Sequence, residues 1–129
     1  MAEWREAPDL RQLAIQIIAK RPEVDHVDVG EVLFLWELET SPKASARCYR
    51  LDDHPIGYFT DKKWAIVVYQ ANCDYMTRKQ LAILLLHELM HIPAFGDKLV
   101  QHTVQDFKAV LRIDIDWDRR GQDVPDILE

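Results

Sequence analysis

Residues 77–92 have one good way to fold, and it is a buried helix. Thr77-Arg78-Lys79-Gln80 has the form of a capping box, with Thr77 at the N-cap and Gln80 three positions on. Six apolar residues follow, Leu81-Ala82-Ile83-Leu84-Leu85-Leu86, and then His87-Glu88-Leu89-Met90-His91. Met76 and Leu81 stand where a hydrophobic staple would close over the cap. Pro93 disfavours helical geometry just before it, so the spacing predicts a helix that runs through His91 and ends near Ile92.

The rest of the chain organises around that helix. Apolar positions 10, 13, 14, 17 and 18 predict a one-sided helix over residues 9–20, capped by Asp9 and stopped by Pro22. The period then shortens. Val32–Leu38, Ala46–Leu51 and Trp64–Tyr69 read as strands, and the last is the most β-branched and should be buried. After Ala94-Phe95-Gly96, Asp97 can cap a second helix from Lys98 to about Leu111, with Val100, Val104, Phe107 and Leu111 as its core stripe. The acidic tail from Ile113 to Glu129 should wrap the surface without regular structure. A chain of 129 residues without repeats is one domain, 1–129, of class α+β.

Chemistry follows from the H-E-x-x-H string. Residues four apart on a helix lie one turn above each other, so both imidazoles can grip one Zn²⁺. Glu88 beside them can take a proton from a water that the metal activates. In an aliphatic run the alternative is two histidines and a carboxylate buried without partners, at about 1–3 kcal/mol each. A metal removes that cost. A catalytic zinc needs a third protein ligand and an open position. His102 is favoured, because it completes a His₃ set; Asp106, one turn further on, orients an imidazole or is itself the ligand. Position 97 is Asp and reads as a helix cap. His26 and His54 look like ordinary loop residues. Tyr58, Tyr69 and Tyr75 are available to stabilise an oxyanion, and the sequence does not select among them.

His87-Glu88-Leu89-Met90-His91-Ile92-Pro93, followed by Gly96, Lys98-Leu99-Val100, His102 and Asp106-Phe107, resembles the phage metallopeptidases, small gluzincin-like or SprT-like proteins of phages and prophages. Ala46-Arg47-Cys48, Asp116-Trp117 and Val124–Leu128 are similar to that group too. Members often carry an acid directly after the third histidine, where this chain has Thr103. The resemblance implies a minimal zincin: an N-terminal helix, a small twisted sheet of three or four strands whose last strand precedes the H-E-x-x-H helix, then a second helix and an irregular tail. It implies zinc-dependent peptide hydrolysis. In such proteins an extended substrate pairs with a strand edge beside the site, and Trp64–Tyr69 is the candidate for the neighbouring strand.

Other functions are less well served. A net charge of −6 argues against direct binding to a nucleic-acid backbone. A SprT-like protease acting on DNA-associated proteins would also need a partner to supply DNA affinity, since no zinc ribbon is present. A catalytically silent, zinc-stabilised binding or regulatory module would not need Glu88. No apolar run approaches a membrane span. Met1–Glu6 is acidic and polar, unlike a signal peptide, and Cys48 and Cys73 lack C-x-x-C spacing. The expectation is a cytoplasmic enzyme with reduced thiols that acts on a protein or peptide. The oligomeric state is not legible.

Overall fold

Two parallel strands form the middle of the molecule, and their parallel pairing organises everything else. A computed structural model describes residues 3–39, 44–53, 59–74, 76–96, 98–101 and 125–128. β1 (Trp4–Glu6) leads into α1 (Pro8–Lys20), and β2 (Val32–Glu37), β3 (Ala46–Arg50) and β4 (Trp64–Tyr69) follow. A short helix, α2 (Gln70–Cys73), precedes α3 (Arg78–Leu89). The four strands form one sheet in the order β1-β2-β4-β3. β2 and β4 are parallel, Val32 opposite Trp64 and Glu37 opposite Tyr69, while β1 and β3 flank them antiparallel.

This order fits the composition of each strand. β4 is buried at all six positions, as an interior strand with both faces covered should be, and its sequence Trp-Ala-Ile-Val-Val-Tyr has no polar alternation. β4 is therefore interior, and the expectation that Trp64–Tyr69 neighbours a docked substrate is corrected. Among the described residues, β3 is the edge strand against which α3 packs. β1 was not anticipated. It is three residues long and exposed throughout, too short for periodicity to register; its pairing with β2 continues through Ala7 N–H to Phe34 O at 3.0 Å.

α1 buries Leu10, Leu13, Ala14 and Ile17, the predicted stripe. It begins one residue earlier than expected. Pro8 occupies the first turn, where its missing N–H costs nothing, and Ala7 is the N-cap without a side-chain bond. Asp9 is thus not the cap. Its carboxylate accepts the indole N–H of Trp36 at 3.1 and 3.2 Å, joining α1 to β2. Arg21 is extended and Pro22 follows, which ends the helix.

The main core lies on one sheet face. Phe34, Trp36, Ala46, Ile66 and Val68 meet Leu10, Leu13 and Ile17 of α1 and Ile83, Leu85, Leu86 and Leu89 of α3. A smaller cluster of Leu35, Val67 and Tyr69, backed by Leu33 and Tyr49, occupies the opposite face. Ile127 is buried in the main core with Leu128 packed beside it, so the end of the chain is anchored and not a surface wrap at this point. No helix among the described residues is long and apolar enough to cross a membrane.

Candidate metal centre

α3 presents the site, and local chemistry fixes where it starts. Thr77 Oγ1 accepts the Gln80 N–H at 3.2 Å, and Gln80 Oε1 accepts the Thr77 N–H at 2.9 Å, so the capping box is complete. Ala82 to Leu86, Glu88 and Leu89 are all buried. A helix apolar on every side belongs in the interior, and here α1 and β3 both pack on it.

The end of the helix differs from expectation. Regular α-helix stops at Leu89, and the chain tightens into bonds from His91 N–H to Glu88 O and from Ile92 N–H to Leu89 O, both 3.1 Å. His91 therefore sits in the closing turn and not in the helix proper. Pro93 explains the stop, since the residues before it leave helical geometry. The imidazoles still meet. His87 Nε2 and His91 Nε2 are 3.3 Å apart, with ring centroids 5.1 Å apart and planes 69° from parallel. Two nitrogens on one tetrahedral Zn²⁺, each about 2.05 Å from it, would stand about 3.3 Å apart. Glu88 is buried, and its Oε2 lies 3.7 Å from His87 Nε2. One ligand atom from each of His87, Glu88 and His91 falls within a span of 4.8 Å.

The tautomer of His91 is set by the chain beyond it. His91 Nδ1 lies 2.7 Å from the Val100 carbonyl, which can only accept, so Nδ1 carries a proton and in the neutral ring Nε2 keeps its lone pair. Val100 N–H also donates to His91 O at 2.7 Å. Both backbone groups of Val100 are taken by His91, and residues 98–101 are not helical; the second helix does not begin at Lys98. Val100 is exposed and does not belong to a core stripe.

His26, read as an ordinary loop residue, reaches the same turn. Its Nε2 donates to Ile92 O at 2.8 Å, across 66 residues of sequence. No motif or spacing could have marked it. Cys48 faces α3 from β3, and its thiol is held well above its ordinary range by burial, with the Glu88 carboxylate adding to the rise. The packing of α3 on β3 brings that strand alongside the helix that carries the general-base candidate. Cys73 is pushed up to about 11, by burial first and by Asp74 second, and both cysteines are free. Tyr69 lies on the opposite sheet face, its hydroxyl 3.2 Å from that of Tyr49, and so cannot serve the site. His54, Tyr58, Tyr75, Asp97, His102 and Asp106 lie outside the described residues.

The donor set of two imidazoles and a carboxylate is able to coordinate a metal ion and matches a gluzincin-like active site. Comparison with known families agrees: the model described as "Putative phage metallopeptidase" matches residues 2–129. No curated protein and no solved structure matches the chain.

Proposed function

The chain belongs to the phage metallopeptidase family, and on that premise we propose that it is a zinc-dependent peptidase in which His87, His91 and His102 hold the ion and Glu88 is the general base. The observation that carries this reading is the 3.3 Å approach of the two Nε2 atoms, with the buried Glu88 carboxylate beside them. When bound, zinc lowers the pKa of a water toward neutrality and polarises the scissile carbonyl. Glu88 accepts the proton of the attacking water and returns it to the leaving nitrogen. His91 is kept in the metal-binding tautomer by the Val100 carbonyl.

Chain connectivity supports His102 as the third ligand. Val100 is tied to His91, and two further residues span at most about 7 Å. Asp106 is the alternative ligand, or the acceptor that orients an imidazole. An extended peptide would pair with β3, an edge strand among the described residues, on which the helix that carries Glu88 packs. Two free, protonated thiols support a reducing compartment such as the cytoplasm.

Zinc analysis of the purified protein and its Glu88→Gln variant tests the reading. One zinc per chain in both, with cleavage of an unfolded protein substrate by the wild type only, is the expected result. Equal cleavage by the two proteins would remove Glu88 from the reaction, and protein free of zinc after careful purification would remove the metal.

A further inference from the structure

A cavity of about 390 Å³ opens at the end of the edge strand, where β3 runs out and β4 begins. Leu51 and Trp64 supply its apolar wall, and among the described lining residues Arg50, Lys62 and Lys63 are cationic and Asp52 is acidic. Arg50 pairs with Asp52, and Lys63 with Glu31 at 2.9 Å. Lys62 Nζ donates to the Gly30 carbonyl at 2.7 Å, an uncharged partner, so its positive charge is not cancelled there. Gly96 closes the far side with φ at +83°, a conformation that L side chains rarely adopt, which lets bare backbone of the loop after His91 form that wall.

The position of the cavity relative to the site follows from strand geometry. Cys48 pairs with Ile66 and Arg50 with Trp64, and Ile66 and Trp64 both belong to the helix-side core. Cys48 and Arg50 therefore project to the face that carries α3. α3 packs on β3, the Glu88 carboxylate acts on Cys48 of that strand, and two residues further along a strand is an advance of about 7 Å. A peptide lying along β3 with its scissile bond at Glu88 would bring to this cavity the side chain two residues away.

We propose that this cavity is a specificity pocket that takes an acidic side chain of the substrate, two residues from the scissile bond. The proposal rests on the peptidase reading. The apolar wall receives the aliphatic part of a glutamate, and the charge of Lys62, whose partner is an uncharged carbonyl, receives its carboxylate. A lysine at the same place meets the Lys62 charge and gains no such partner.

The test is a binding measurement. Doubly blocked fluorescent peptides carrying Glu, Gln or Lys two residues to either side of one cleavable bond are titrated into the zinc-loaded Glu88→Gln protein and into a Glu88→Gln/Lys62→Glu double variant, at low and high salt. The Glu peptide should bind about fivefold tighter than the Lys peptide, less so in high salt, and Lys62→Glu should reverse the order. Equal binding of the three peptides, no binding of any, or a preference unmoved by Lys62→Glu would overturn the pocket. Wild-type protein is assayed in parallel for cleavage. Binding that keeps its preference for Glu, with no peptide cut by the wild type, supports the pocket and overturns the peptidase reading.

Discussion

Val100 holds His91 twice: its carbonyl accepts the imidazole Nδ1–H and its N–H donates to the His91 carbonyl, each at 2.7 Å. The two bonds fix the backbone and the ring of the same residue. His91 needs both, because it lies just past the regular helix, in a turn that tightens before Pro93. His87, one turn earlier and inside α3, is positioned by the helix itself.

Val100→Pro should therefore weaken zinc binding without unfolding the protein. It removes the N–H that reaches His91, whereas Val100→Ala keeps both backbone bonds and trims an exposed side chain. The N–H bond holds the Val100 carbonyl against the ring, so its loss should lower metal affinity by about 10-fold, the low end of what losing an imidazole's own partner costs. Competition with a chromogenic chelator measures it, and circular dichroism checks the fold. Equal affinity in the Pro and Ala variants would show that the clamp does not matter.

The capping box makes a second prediction about the same helix. Thr77→Ala removes the acceptor for the Gln80 N–H and should cost about 1 kcal/mol, with Thr77→Ser recovering most of it. Gln80→Ala should cost more, about 1–3 kcal/mol, because Gln80 is buried and its loss leaves the Thr77 N–H without that partner. Urea unfolding of the three variants gives the order Gln80→Ala, Thr77→Ala, Thr77→Ser from least to most stable.

How much of this was legible beforehand depends on whether the signal was local. The cap at Thr77, the α1 stripe, three strands and the His87–Glu88–His91 triad are all written in adjacent or periodic residues, and the sequence reading placed them. The contacts that finish the site are not local. His26 reaches Ile92 across 66 residues, and Val100 meets His91 through backbone groups that every residue carries. Asp9 looked like a cap because caps are often Asp, but Pro8 moved the helix start and freed the carboxylate for Trp36. Sheet order was equally hidden, since a strand buried on both faces and a strand beside the substrate have similar compositions.

Asp9 and Trp36 can be tested directly. Asp9→Ala leaves the indole N–H without the acceptor it has on α1, at a cost of about 1 kcal/mol, while Asp9→Asn keeps an oxygen in reach and should cost less. Thermal melts followed by tryptophan fluorescence separate the two variants. A cap role would predict instead that helix content falls and that Trp36 emission stays unchanged.

Cys73 gives the pH dependence. Burial raises its thiol from an ordinary 9.0 to about 11, so the folded protein holds this proton more tightly than the unfolded chain does. Between those values the unfolded state binds fewer protons, and linkage then makes stability fall as pH rises. The contribution is complete below pH 9 and is lost progressively up to about pH 11. Cys73→Ala should remove this part of the alkaline decline, so the difference in urea midpoint between wild type and variant should narrow or change sign from pH 8.5 to pH 11. The same shift predicts that Cys73 in the folded protein reacts slowly with a thiol reagent at pH 8 and quickly once urea unfolds it. A constant difference in midpoint across that range, or a thiol that reacts equally fast in both states, would show that burial does not set its proton affinity.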